Sequence, residues 1–219
     1  MPPRYKIKQY LIDGVYHVYN RGVEKREIFL DEQDYAIFLH LLKYYLSPVE
    51  KNPIHPLINL PNYSVAFKYR HVLENLEDKV DLFAFCLMPN HFHLIIRQKT
   101  VDGMTSLMRK ISTTYAMYFN KKYDRVGYLF QGNYKAILVD RDDYLIHLSR
   151  YVHINSAEFE GTVPSNYPYS SYSYYLKEKH AVWLKPDFIL NYFKDSSYKD
   201  FVEAGLGKAD NLLGNLVIE

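Results

Sequence analysis

The sequence predicts an α+β protein with a ferredoxin-like split βαβ core built on an antiparallel sheet, and three observations carry that expectation. Stretches with the period of a strand and stretches with the period of a helix follow one another as β-α-β-β-α-β, with a further helix after the last strand. The two central strands are separated only by the "MPN" link, residues 88–90, which is short enough to force an antiparallel pair. Hydrophobic residues make up 48% of the 219 positions, sufficient for one large core. The expected sheet carries its helices on one side.

Each element has a local reason. "GVYHVYNRG", residues 14–22, alternates and ends in a turn, as a strand does. "DEQDYAIFLHLLKYYL", residues 31–46, opens with an aspartate in the N-cap position and spaces Tyr35, Phe38, Leu39, Leu42 and Tyr45 along a helix. Residues 47–62 carry four prolines and read as a loop inserted into the core. Helical spacing resumes over 63–77 through Val65, Tyr69, Val72, Leu73 and Leu76. Strands follow over 80–87 and 91–98, a long helix over 102–123, a strand over 127–139 and a helix begun by acids over 140–156. The Tyr/Ser stretch "NYPYSSYSYYL", residues 166–176, marks a change of composition. We therefore expect a domain over 1–165, with the 47–62 insertion, and an extension over 166–219 packed on it. Within that extension, 185–205 reads as one or two amphipathic helices.

Composition excludes several classes of function. Cys86 is the one cysteine and sits in an apolar strand, so there is no intrachain disulfide and no zinc site built on cysteines. No apolar run approaches the ~20 residues of a membrane span, and a soluble cytoplasmic protein without membrane contact is expected. Phosphate-loop and dinucleotide motifs are absent, so no nucleotide cofactor is indicated. The net charge of +2 is unevenly spread: Arg97, Lys99, Arg109, Lys110, Lys121, Lys122, Arg125 and Lys135 face only Asp102 and Asp124 over 97–135. From Ser156 onward acids prevail. Tyr115, Tyr118, Tyr123, Tyr128 and Tyr134 interleave with those cations, a pattern that suits phosphate contact and base stacking, although a solvated helix face looks the same.

The chemistry-bearing stretch is "FCLMPNHFHLII", residues 85–96. His91 and His93 are two apart on a strand and therefore point the same way, placed either for one metal ion or simply for hydrogen bonds with neighbours. On the last core helix Tyr151 and Asn155 are four apart and share a face. Two imidazole nitrogens and an amide oxygen suit a divalent ion that leaves positions open for phosphate oxygens, beside which a phenol could attack phosphorus. A tyrosine needs such surroundings, because its ordinary pKa of ~10 makes it a poor nucleophile. Tyr151 as one core tyrosine among many is the alternative. Tyr115 and Tyr118 compete for the nucleophilic role less well, since their i+4 neighbours are Phe119 and Lys122, neither an oxygen ligand.

"YHVYNRG", "CLMPNHFHLII", "GYLFQGNYKAILV" and "RYVHINS", in that order, resemble the single-tyrosine HUH transposases, and specifically the REP-associated tyrosine transposase branch. The resemblance runs from Tyr16 to about Tyr175, and "WLKPDFIL" and "YKDFVEAG" also resemble a C-terminal extension of that family. It implies a metal-dependent single-stranded DNA endonuclease and strand transferase that acts at an imperfect hairpin of a repeated extragenic palindrome. In that reading His91 and His93 form the HUH pair, Asn155 completes the site for Mg or Mn, and Tyr151 is the nucleophile. Cleavage leaves a 3′-hydroxyl and a 5′-phosphotyrosine. Arg21, Arg97, Arg109, Lys110, Lys121, Lys122, Arg125 and Lys135 are the expected DNA contacts. A monomer working in cis is expected, with a dimer as the alternative. Two other readings stay open: a hairpin-binding repressor that no longer cuts, and a phosphodiesterase that uses water on a small nucleotide.

Overall fold

Alternating side chains along "VYHVYNR" build the first strand, β1 (Val15–Arg21), in the computed structural model, which describes residues 10–48, 75–158 and 162–207. The strand ends at Gly22, where any Cβ would stand 2.2 Å from the carbonyl oxygen of Arg26, so only glycine lets the chain fold back there. Helix α1 (Glu32–Leu46) starts with a reciprocal cap: the Asp31 carboxylate accepts the Asp34 backbone N–H, and Asp34 accepts that of Asp31. Strands β2 (Val80–Met88) and β3 (His91–Gln98) follow, joined across Pro89 and Asn90. Helix α2 (Gly103–Lys122), strand β4 (Lys135–Val139) and helix α3 (Asp142–Ile154) complete the core. The helix expected over 63–77 lies outside the described residues up to 74, and its last three residues are not helical. Nearly all of the 47–62 stretch also lies outside them.

Every strand pair is antiparallel, in the order β2-β3-β1-β4, which is the split βαβ topology read from the sequence. The layers differ from that reading. Helices α1 and α2 pack on the face formed by Tyr16, Val18, Phe85, Phe92, Leu94 and Ile96. The opposite face, with Ala84, Cys86, Ile95 and Val139, is covered by α3 through Leu145, Leu148 and Val152, and by the extension through Tyr172, Ile189 and Tyr198. The expectation of helices on one side is thus corrected. Every residue of β2 is buried, and a strand apolar on both faces requires a layer on each.

The last strand is also shorter than the 127–139 expected. Asp124 and Gly127 have φ of 48° and 92°, which turns the chain outward and leaves Val126 and Tyr128 exposed. Phe130 then meets the sheet through a single bridge to Gly22 before β4 begins. Beyond α3 the chain tightens into one turn of 3-10 helix, Asn155–Glu158.

Among the described residues the extension holds three short α-helices, α4 (Tyr172–Tyr175), α5 (Asp187–Leu190) and α6 (Tyr198–Glu203). It runs along the outer edge of β2. The N–H of Leu87 donates to Tyr169, that of Ser171 to Phe85 and that of Lys185 to Leu82, each at 2.9 Å. An open apolar edge is a template for pairing with other chains, and the extension closes this one. Among the described residues no helix is long and apolar enough to cross a membrane.

Candidate active site

The strand register sets the first half of the site. Pairing of Arg21 with His91, Tyr19 with His93 and His17 with Ile95 lines these residues up on the face that α3 covers, with Met88 and Cys86 beside the two histidines on β2. The link that delivers His91 is clamped. The Pro89 carbonyl accepts the N–H of Ile28 at 2.7 Å and of Phe29 at 3.0 Å, and the Asn90 carbonyl accepts that of Gly22 at 2.8 Å.

Helix α3 supplies the other half. Leu145, Leu148 and Val152 seat it on the sheet, and Tyr151 in the same helix, with Asn155 at the start of the 3-10 turn that follows it, faces the histidines. The Tyr151 ring stands edge-on to His93, with centroids 5.2 Å apart. Oδ1 of Asn155 lies 3.3 Å from Nε2 of His91. The rings of His91 and His93 are perpendicular at 4.9 Å. Tyr151, His91, His93 and Asn155, far apart in the sequence, therefore gather at one place. Tyr115 and Tyr118 do not join them: both are buried on the opposite side of the sheet, where Tyr115 donates to the Ile28 carbonyl and Tyr118 to Asp34.

His91 is neutral: burial lowers its pKa to about 4, against the Asn155 hydrogen bond, which raises it, and with the positive charge of Arg21, which lowers it further. Its shorter contact joins Nδ1 to the Asn90 oxygen at 2.6 Å, and we assign its one proton there. Nε2 then presents a lone pair to the Asn155 oxygen, which is turned that way because the amide nitrogen donates to Glu158 at 3.2 Å. His93 is held well below the usual imidazole range by burial and then by its His17 and His91 neighbours, and its Nε2 is buried with no hydrogen-bond partner. Two imidazole nitrogens and an amide oxygen are the donor set of a borderline or hard divalent cation, and these residues fit one. Among the described residues no three His, Cys, Asp or Glu side chains are placed to hold an ion, so such a site depends on the Asn155 amide. Cys86, next to His93 on β2, remains a neutral thiol, since burial raises its pKa far above the ordinary value.

The basic residues separate into two groups. Arg97 is paired with Asp81 and lies over the rings of Phe83 and Phe188, 5.6 and 5.2 Å away. Lys122 donates to Asp31 at 2.7 Å and to the fully buried Asp34 at 2.8 Å, tying α2 to the start of α1. Both cations are held in ion pairs within the protein while their side chains stay partly exposed. Lys110 lies over Tyr45, and Arg125 over Phe119 with a bond to Asn120. Arg109, Lys121 and Lys135 are exposed, and Arg21, beside His91, donates to Gln131. Of the five tyrosines interleaved with the charges, Tyr128 is 89% exposed, whereas Tyr123 bonds Asp34 and Tyr134 meets Thr105.

Sequence reasoning missed His17. It is fully buried, and its Nε2 lies 2.8 Å from Nδ1 of His93. Its place in the alternating "YHVYNR" was the available signal, because with Tyr19 and Arg21 it points to the same face. Which residue it would meet depended on the β1–β3 register.

Residues 59–155, a span containing His91, His93, Tyr151 and Asn155, match the model of the family described as transposase IS200 like. No curated protein is significantly similar to the chain in sequence. Among solved structures, the fold is similar to a REP-associated tyrosine transposase bound to a REP hairpin, with a TM-score of 0.53 and 15% identity over 79% of this chain and 85% of that one. The resemblance read from the four motifs thus agrees with the family match and with the fold.

Proposed function

We propose that this IS200-like transposase cuts and rejoins single-stranded DNA at hairpins of repeated extragenic palindromes, with Tyr151 as nucleophile. The observation that supports this most is the meeting of Tyr151, on a helix, with two histidines whose pKa values burial lowers and with the Asn155 amide oxygen. His91, His93 and Asn155 would hold a Mg or Mn ion, which when bound draws electron density from the scissile phosphate. The hydroxyl of Tyr151 loses its proton to solvent, and its oxygen forms a bond to phosphorus as the bond to the 3′-oxygen breaks. The departing oxygen takes a proton from water and becomes the 3′-hydroxyl. Reversal by another 3′-hydroxyl rejoins strands without ATP, because the phosphotyrosine conserves the bond energy. Packing of α3 on the sheet orients the phenol, so the attack begins from a fixed position. Arg21, Arg109, Lys121, Arg125 and Lys135 are the cations we assign to phosphate contact, with Tyr128 as a stacking surface for an unpaired base. We take the protein to act as a monomer, since the extension occupies the α3 side of the sheet.

The deciding experiment incubates the protein with labelled single-stranded hairpin DNA and Mn, then separates products on a denaturing gel. A covalent protein–DNA band is expected from wild type and none from Tyr151→Phe, which keeps hairpin binding. Free cleaved product without a covalent band would favour a phosphodiesterase that uses water. Bound but uncut DNA would favour a repressor. A nucleotide found by mass spectrometry on another tyrosine would refute the assignment.

A further inference from the structure

His17 and His93 are stacked at 16° with centroids 5.1 Å apart, and the contact between His17 Nε2 and His93 Nδ1 holds a single proton, because charging either ring inside the core is costly. Where that proton sits decides what His93 can do. On His93 Nδ1 it leaves Nε2 with a lone pair. On His17 Nε2 it makes His93 Nε2 a buried N–H, which repels a cation. Hydrogen bonding within the protein does not choose between the two, since Nδ1 of His17 and Nε2 of His93 are both buried without partners. A cation at Nε2 does choose.

We propose that His17 is a positioning residue: by accepting the proton of His93 Nδ1, it holds His93 in the orientation and tautomer that present Nε2 to a divalent ion. This rests on the metal-dependent reading above. His17 is fully buried beside Tyr19 at 4.9 Å and the edge of Tyr151 at 6.3 Å, and its Nε2 is taken up by the contact with His93. It acts through His93. Partners of this kind fix the tautomer of metal-binding histidines, and their loss typically weakens metal binding 10–100-fold.

The test measures Mn binding to the whole protein by electron paramagnetic resonance. His17→Leu is expected to bind 10–100-fold more weakly than wild type, and His17→Gln, whose side-chain oxygen can still accept a proton, to recover most of that loss. Long-range nitrogen–proton NMR of wild type loaded with Mg should find the His93 proton on Nδ1. A folded His17→Leu protein that binds Mn as wild type does would overturn the proposal, as would a His93 proton on Nε2 in the loaded protein. If His17→Leu does not fold, the NMR spectrum decides alone. Wild type that binds neither ion would remove the metal reading and this inference together, whereas normal wild-type binding that is insensitive to His17 removes this inference only.

Discussion

Two buried histidines lie at the interface between α3 and the rest of the protein, His93 on the sheet and His153 on the helix, and they end differently. At His153 the hydrogen bonds close. Nε2 is bonded to the Ser171 hydroxyl at 2.8 Å, which also reaches the Phe85 carbonyl at 3.1 Å, Nδ1 is bonded to the Tyr198 hydroxyl at 2.7 Å, Tyr198 donates to Ser149 at 3.0 Å, and Ser149 donates to the Ile146 carbonyl at 2.7 Å. Each proton has an acceptor, and the chain ties α3 to the extension. At His93 the chain is two rings long and open at both ends. A buried polar group left open costs about 1–3 kcal/mol, so a closed histidine is explained by packing alone, while an open one points to a ligand.

The largest test of this contrast replaces each histidine by glutamine. His93→Gln should abolish the covalent DNA product and change stability by no more than about 1 kcal/mol, because the variant loses one bond at most. His153→Gln should lose about 2 kcal/mol or more, since hydroxyl partners are stranded, yet still form the product while folded. Denaturant unfolding and the denaturing gel read the two effects; equal destabilisation with equal loss of product would erase the distinction.

The same contrast divides neighbouring lysines. Lys122→Ala leaves the buried Asp34 carboxylate short of its cation and should cost about 3 kcal/mol. Lys121→Ala should leave stability within about 0.5 kcal/mol and reduce the salt dependence of hairpin binding by about 0.7 in log K per log salt. Identical unfolding curves for the two variants would show that Lys122 is not part of the framework.

A further test is in pH. Burial lowers the pKa of His153 to about 3, below the ordinary ~6.5 of the unfolded chain. Between these values the unfolded state binds a proton that the folded state does not. The contribution is therefore intact above about pH 6.5 and is lost progressively as pH falls toward 3. Unfolding free energy should be lower at pH 5 than at pH 7.5, and His153→Gln should reduce that difference, the remainder coming from His17, His91 and His93, which burial lowers in the same direction. A wild-type protein equally stable at both would contradict the closed-chain account.

What was legible in the sequence followed from local periods. The period of two put His91 and His93 on one face, the spacing of four put Tyr151 and Asn155 on another, and the short link made β2 and β3 neighbours. What was not legible lay in pairings between distant elements. Arg97 looked available because Asp81 stands on another strand, and Lys122 because its carboxylates belong to the first helix and its cap. His17 was invisible as a partner until β1 was set beside β3. The second layer on the sheet was foreshadowed by β2, apolar at nearly every position, but its occupant was not.

The extension along β2 bears on what counts as the smallest intact protein. Its later part is anchored by the Lys185 bond to Leu82, by Phe188 stacked on Phe83 at 4.1 Å and by Tyr198 on His153, on the far side of an exposed bend at 177–180. A protease that nicks the chain at Lys177 or Lys179 would leave two fragments migrating as one particle under native conditions and parting only in denaturant. Expressed separately, those fragments should reassemble, whereas the larger one alone would expose the apolar surface that Ile189, Tyr198 and Val202 cover and precipitate.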